Sequence, residues 1–391
     1  MTRFAVGVNY WPAETAMRMW RRFDAGAIEA DFRRCAGAGC DTIRIFLLWE
    51  DFQPDPGSVD ERALAKLRTV ADIAAKTGVG LVPTLFTGHM SGVNWCPPWA
   101  LGAERAPRFR TVTGDTPVDR ATRDWAEPAV LEAQALLARE AARALGGHAA
   151  LRMWDLGNEN SNCWIPASRD DGRRWLATMA GALRSVDPVT PITIGLHAED
   201  LEEDRRIGPA EAAEVSDVLC MHGYPMYLRW ADGRDDHRVL PFLATVTRWL
   251  GHGKDVLFEE FGAPTRDPDD PEAATVADML LDEAAAADYT ARALRALAGA
   301  GCTGALLWCY ADYAPAIWTE PPLDAAVHER HFGLWRADGS PKPAAGELSR
   351  WGGSERSIAR DDAWIELRRE DFYLTPRSNL VALYEAYRAR P

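Results

Sequence analysis

Short apolar runs alternate along the chain with longer stretches of helical periodicity. Eight runs read as strands: Phe4–Asn9, Thr42–Trp49, Val79–Phe86, Leu151–Gly157, Ile192–Leu196, Asp217–His222, Val256–Glu260 and Gly304–Cys309. Most are nearly continuous in apolar residues, the pattern of parallel strands covered on both faces. Amphipathic helices are predicted at 27–38, 59–77, 127–145, 169–186, 239–250 and 273–299, with room only for a short or irregular crossover at 201–215. Eight strand-then-helix units predict an α/β chain folded as a (β/α)8 TIM barrel, which takes about 250 residues before insertions. A doubly wound open sheet is the alternative, but Val8-Asn9-Tyr10-Trp11-Pro12 stands where its G-x-G-x-x-G turn would follow the first strand.

The surplus length falls into long loops. Residues 87–125, rich in Gly, Pro and Trp, extend the loop after the third strand; 223–238 and 310–343 extend those after the sixth and eighth. All emerge on the side of the strands' C-terminal ends, where barrel enzymes keep their sites. Walls of this kind predict a deep pocket for a short ligand rather than a cleft for a polymer. The barrel is expected to occupy 1–350, and 351–391, with Asp371-Phe372-Tyr373-Leu374 and the helical run Asn379–Arg388, to be an extension packed on it rather than a domain.

Composition narrows the partners. The 391 residues are 47% hydrophobic and carry a net charge of −14, which argues against a nucleic-acid partner, since that calls for a clustered basic face. The pairs Arg21-Arg22, Arg33-Arg34 and Arg173-Arg174 have acidic residues close by and read as solvated helix faces. Met1–Trp11 enters a strand pattern at once, without a secretory leader, and no apolar run is long enough to span a membrane. Seven scattered cysteines without a C-x-x-C pair fit reduced thiols, so a cytoplasmic location is expected. Oligomeric state stays open. Sixteen tryptophans stand out, several in polar or Gly/Pro-rich stretches: Trp95, Trp99, Trp164, Trp230 and Trp318. Tryptophans in loops suggest exposed stacking surfaces, and the apolar C–H faces of sugar rings pack on indole. Trp95 and Trp164 accordingly join the candidate substrate-binding residues, together with Trp49 at the end of the second strand.

Two carboxylate motifs carry the chemistry, Trp154-Asp155-Leu156-Gly157-Asn158-Glu159 and Val256-Leu257-Phe258-Glu259-Glu260-Phe261-Gly262. Each delivers a Glu where a strand hands over to a loop, and two such carboxylates on one barrel are what glycosidic-bond hydrolysis needs. The other strand ends contribute Arg44 with Trp49, then His89, His222 with Tyr224, and Trp308. Arg44 lies within the apolar run Thr42–Trp49, where its charge is costly unless a carboxylate meets it.

In these positions the chain resembles glycoside hydrolase family 5, of the clan of retaining (β/α)8 hydrolases. That family's pattern has Arg on strand two, His after strand three and Asn-Glu ending strand four. It continues with His-x-Tyr after strand six, Glu-aromatic-Gly on strand seven and Trp on strand eight. Arg44, His89, Asn158-Glu159, His222 with Tyr224, Glu260-Phe261-Gly262 and Trp308 supply it in order, over roughly residues 4–310. The resemblance implies Glu159 as general acid/base and Glu260 as nucleophile. Asn158 would meet the sugar 2-hydroxyl, Tyr224 and Arg44 would hold Glu260, His89 and His222 would bind hydroxyls or orient the acid, and Trp308 would floor the ring. As a proton donor near neutral pH, Glu159 is expected to have a raised pKa. Glu259 is expected to turn to the opposite face as a structural residue, and Asp155 to be a buried hydrogen-bonding group. His148, His197, His237, His252, His328 and His331 are given no role.

Within the family, the opening Gly7-Val8-Asn9-Tyr10-Trp11-Pro12 and the loop Phe86-Thr87-Gly88-His89-Met90 are similar to bacterial exo-β-mannosidases acting on mannose-β-1,4-N-acetylglucosamine. The expected partner is thus a small oligosaccharide. An exo-β-glucosidase, an endo-β-1,4-mannanase or a non-catalytic carbohydrate-binding barrel remains open. No ligand-spaced Cys/His cluster, phosphate loop or calcium loop occurs, so no cofactor or metal is expected.

Overall fold

The computed structural model of the chain describes residues 3–104, 107–351, 353–357 and 361–390. Among them, eight parallel strands form one sheet: β1 Ala5–Asn9, β2 Thr42–Leu48, β3 Gly80–Thr87, β4 Trp154–Asn158, β5 Ile192–Gly195, β6 Leu219–His222, β7 Val256–Phe261 and β8 Gly304–Leu307. Spatial order is β5-β4-β3-β2-β1-β8-β7-β6, and a parallel bridge between His197 and His222 joins the two ends into a ring. The (β/α)8 barrel read from the apolar runs is thus the observed fold.

Helices α1 Ala25–Gly37, α2 Glu61–Thr77, α3 Pro128–Leu145, α4 Arg169–Arg184, α5 Pro209–Ala213, α6 Val239–Leu250 and α7 Glu283–Gly299 are spaced along the connections. Their ends follow local chemistry. Asp24 and Asp60 each accept two backbone N–H bonds at the starts of α1 and α2, and Gly78, at φ +82°, ends α2 in the left-handed conformation. The helix predicted from 273 begins at Glu283: only a short 3-10 turn forms at Ala273–Val276, and Asp282 caps the new start by accepting from the Ala285 N–H.

Side chains inside the barrel follow the period of two. A lower layer of Val82, Met153, Cys220, Leu257 and Leu306 packs as its own apolar cluster. Two residues further along the same strands come Thr84, Asp155, His222, Glu259 and Trp308, so the interior changes from apolar to polar towards the C-terminal face. α6 is buried along its whole length. The final helix, α8 Pro376–Arg388, contributes to that cover, with Tyr384 packed 4.9 Å from both Phe242 and Trp230.

The long insertion after β3 is not irregular throughout. It contains short strands at His89–Met90, Val93–Trp95, Arg110–Thr113 and Thr116–Val118, paired in one small sheet. No described helix is long and apolar enough to cross a membrane. All seven cysteines are free.

Candidate active site

At the C-terminal mouth of the barrel, a cavity of about 380 Å³ is lined by His89, Asn158, Glu159, His222, Tyr224, Glu260 and Trp308 among others. Its base is an ionic cluster around Arg44, which has no exposed surface. The guanidinium donates from Nε to Thr84 Oγ1 at 2.9 Å, from Nη2 to Asp155 Oδ2 at 2.7 Å and to Asn158 Oδ1 at 3.0 Å, and from Nη1 to Asn9 Oδ1 at 3.1 Å and to Glu260 Oε1. Glu259 Oε1 lies 3.4 Å from Nε. The charge placed in the apolar run of β2 is therefore met by three carboxylates rather than one. Gly195 makes room for this: a Cβ there would sit 3.0 Å from both Arg44 Nη2 and His222 Nε2 and 2.8 Å from the Gly157 carbonyl.

Glu260 is fixed at both oxygens, by Arg44 at Oε1 and by the Tyr224 hydroxyl donating to Oε2 at 2.9 Å. Glu159 sits just past β4 in the left-handed region at φ +47°, unusual for a non-glycine residue, and its N–H donates to the Gly195 carbonyl at 3.0 Å. Its Oε2 accepts from Asn162 Nδ2 at 3.0 Å, and His222 Nδ1 lies 3.1 Å from Oε1. His222 is the hub, with Nδ1 also 3.5 Å from Glu260 Oε2 and Nε2 3.4 Å from Glu259 Oε2. Oxygens of Glu159 and Glu260 and a ring nitrogen of His222 lie within 4.8 Å of one another. These three could each offer an atom to a cation, but His222 holds its proton, which opposes ligation.

Two sequence expectations are corrected here. Glu259 does not face away from the cluster. Counted by alternation from Leu257 it is the inward residue, and Glu260 joins it because the register of β7 shifts between Phe258 and Phe261 against β8 and at His222 against β6. The charge state of Glu159 also runs opposite to expectation. Burial would raise its pKa, but His197 and the hydrogen-bonded His222 outweigh burial and hold it well below the usual carboxylate range. Glu260 is instead raised, chiefly by burial and further by the charge of Glu159, against the pull of His222 and Arg44. His222 loses by burial but gains more from Glu260 and from its bonds to Glu159 and Glu259, and is raised to about 10. The proton between Glu159 and His222 therefore rests on the imidazole.

This linkage has a defined sign. A histidine raised from about 6.5 to about 10 adds stability fully present below pH 6.5 and lost as pH rises through 10. Urea unfolding of the wild type and of His222→Gln at pH 6 and pH 9.5 is expected to show the wild type losing on the order of a few kcal/mol more over that interval. Parallel losses in the two proteins would refute the assignment.

Asp155 is the buried hydrogen-bonding group expected. Besides Arg44, it accepts from Thr84 Oγ1 at 2.6 Å and from the N–H groups of Gly157 and Gly195 at 3.1 and 3.0 Å. Asn158 is pinned from both sides, donating from Nδ2 to the His89 carbonyl at 2.9 Å. His89 pairs through Nδ1 with Asn94 Oδ1 at 2.7 Å, and burial lowers its pKa.

Trp49, Trp95 and Trp164 do not line this cavity. Trp49 is fully buried, packs edge-on against Trp99 and Trp125, and donates to Gln53 Oε1. Trp95 is fully buried beneath the Arg18 guanidinium, 4.7 Å from its ring. Trp164 stacks on Trp125 and donates to Asp124 Oδ1; it borders a separate polar cleft of about 660 Å³. Long loops must bury something against the barrel, and indoles supply large apolar area together with one N–H that a polar loop can satisfy. Trp164→Ala is expected to cost about 3–5 kcal/mol of stability while leaving KM for a small aryl glycoside within about twofold. A large KM change at unchanged stability would return it to the binding surface.

Residues without a sequence motif also enter the site. His197, on the bridge that closes the barrel, has Nδ1 3.7 Å from Glu159 Oε2 and Nε2 3.0 Å from Ser161 Oγ. Tyr227, His328, Glu329, Ser91 and Phe109 line the same cavity. Only the position of His197 after β5 could have flagged any of them, because the others lie on loops whose course no periodicity reveals.

A closed parallel barrel with paired glutamates, an arginine and a tryptophan converging at its C-terminal mouth has the architecture of barrel glycosidases, and the chain resembles glycoside hydrolase family 5 across that barrel. Neither a protein-family model nor a curated protein sequence matches the chain. Solved structures do. An exo-β-1,4-mannosidase from Opitutaceae bacterium strain TAV5 is 28% identical with a TM-score of 0.72, over 89% of this chain and 59% of that one, so the chain spans little more than half of its length. A GH5_18 protein from Streptomyces cattleya, solved in complex with Manβ1-4GlcNAc, is 22% identical with a TM-score of 0.74, over 89% of this chain and 80% of that one. A GH5_18 protein from Bifidobacterium longum subsp. infantis is 20% identical with a TM-score of 0.75, over 92% and 81%.

Proposed function

We propose that the chain is a retaining exo-β-mannosidase that removes terminal β-linked mannose from small oligosaccharides such as mannose-β-1,4-N-acetylglucosamine. The observation that carries this reading is the pairing of Glu159 with Glu260 at the barrel mouth, with an oxygen of each within 4.8 Å of the other, a spacing in keeping with the roughly 5–5.5 Å between carboxyl groups that a retaining mechanism uses. Glu260 attacks the anomeric carbon, with Arg44 and Tyr224 fixing its plane. Glu159 protonates the departing oxygen, and the glycosyl ester is then hydrolysed by a water that Glu159 deprotonates. The proton on His222 reaches Glu159 across their 3.1 Å hydrogen bond as a bound sugar desolvates the carboxylate and makes it harder to keep charged. A cavity of about 380 Å³ suits one or two sugar rings. The neighbouring exo-β-1,4-mannosidase and the Manβ1-4GlcNAc complex support mannose as the sugar. The seven free cysteines fit action in a reducing cytoplasm on imported saccharides.

A panel of nitrophenyl glycosides with Manβ1-4GlcNAc and mannotriose tests the reading. Release of mannose from the β-mannoside and the disaccharide is expected, with the β-anomer formed first by NMR. Cleavage of internal bonds of mannan without release of mannose from small mannosides would overturn it.

A further inference from the structure

The loop after β8 brings to the cavity a glutamate with no part in the double displacement. Glu329 is 7% exposed and lies on a short helical turn at Val327–His331. Its Oε2 accepts from the Trp308 indole N–H at 3.1 Å and from Ser91 Oγ at 3.0 Å. Its Oε1 receives only a long contact of 3.4 Å from the Tyr227 hydroxyl, which lies closer, at 2.7 Å, to His328 Nε2. Among the described residues, the nearest basic group is that same His328 nitrogen at 3.7 Å. A buried carboxyl group served by neutral donors, with capacity left on one oxygen, is costly unless a ligand brings donors to it.

Position says which donors. Tyr224 and Tyr227 lie side by side with ring centroids 5.7 Å apart; one hydroxyl meets Glu260 and the other leans on Glu329. The two carboxyl groups are thus each met by one of two neighbouring tyrosines, and both line the cavity. Trp308 holds Glu329 at the edge of its indole, where the rim hydroxyls of a sugar stacked on that indole would project. Ser91 and Tyr227 bring the loops after β3 and β6 to the same point, so the cavity is walled there.

We infer that Glu329 reads the terminal sugar's 4-hydroxyl, with one neighbouring hydroxyl, by accepting hydrogen bonds at Oε1, and so confines cleavage to the end of the chain. A further residue on that hydroxyl removes the donor and meets the wall. The inference rests on the glycosidase reading above and extends it to a specificity residue.

The test compares a nitrophenyl β-mannoside with its 4-deoxy and 4-O-methyl analogues on the wild type and on Glu329→Gln. The wild type is expected to lose on the order of 10²–10³-fold in kcat/KM on both analogues. In Glu329→Gln the amide oxygen takes the Trp308 and Ser91 bonds and its NH₂ replaces Oε1, so an acceptor becomes a donor. The variant is expected to lose about 100-fold on the parent glycoside and only severalfold on the 4-deoxy analogue. Wild-type cleavage of both analogues at the parent rate would overturn the inference while leaving the glycosidase reading intact, and that comparison requires no variant to fold. Retention of the full 4-deoxy penalty in Glu329→Gln would overturn it equally. No cleavage of any aryl glycoside by the wild type would remove the glycosidase reading, and this inference with it.

Discussion

Glu260→Ala is expected to lower kcat on an aryl β-mannoside by on the order of 10⁴-fold, and added azide is expected to restore turnover with an α-configured glycosyl azide as product. The reasoning is geometric. Removing the carboxylate opens a space beneath the anomeric carbon, still lined by Arg44 and Tyr224, that a small anion fills from the same face. Glu159→Ala separates the other role. Its loss should fall mainly on substrates whose leaving group needs a proton, so dinitrophenyl mannoside is expected to be cleaved far better than Manβ1-4GlcNAc, and azide to give the β-configured product. If azide gave the same anomer from both variants, the assignment of nucleophile and acid/base would fall. The effect should exceed that of any other substitution because two separate steps use each group.

Arg44→Met is expected to destabilise the protein by about 3–5 kcal/mol, since it strands Asp155, Glu259 and Glu260 in a fully buried layer with their shared cation removed. Arg44→Lys should recover only part of this, because one ammonium cannot reach Asn9, Thr84, Asp155, Asn158 and Glu260 together as the planar guanidinium does. Activity should fall by about 100-fold even where the variant folds, since Glu260 loses one of the two bonds that set its plane. The pH profile separates this from simple loss of folded protein. Arg44 pulls the Glu260 pKa down, so its removal should move the acidic limb of kcat/KM to higher pH. Urea unfolding together with that profile checks both parts. An Arg44→Lys protein with wild-type stability and an unmoved limb would show that the cluster does not depend on the fork.

The sequence carried the barrel because its signal is repeated. Each strand is a short apolar run that must be covered on both faces, and eight such runs separated by helical periodicity leave few other folds. Element ends were less legible. The segment before α7 reads as helix by composition, yet it forms only a short turn at Ala273–Val276, and the capping Asp282 starts the helix at Glu283. The residues at strand ends were legible for the same reason as the strands: where β4 or β7 stops, its last side chains must enter the mouth. Arg44 announced a carboxylate partner by its cost alone.

The tryptophans show where composition misleads. An indole in a polar loop reads as an exposed platform, but Trp95 and Trp164 are the material with which long loops bury themselves, and Trp49, just past β2, is fully buried as well. Trp308, set in an apolar run, is the one of the candidates that lines the cavity.

By itself, then, the amino-acid sequence pointed to the barrel and to the mouth as the place of the site, because both follow from periodicity and from which residues end each strand; the choice of Glu159 and Glu260 came from the resemblance to glycoside hydrolase family 5, since alternation alone selects Glu259. Tertiary structure decided what depends on neighbours distant in sequence. The register shift in β7 brings Glu259 and Glu260 to one cluster, which strict alternation forbids. His222, brought in from β6, holds the proton that burial alone would have left on Glu159. Loops from β3, β6 and β8 meet at Glu329 to close the cavity, and no local pattern records a meeting of three segments more than a hundred residues apart in sequence.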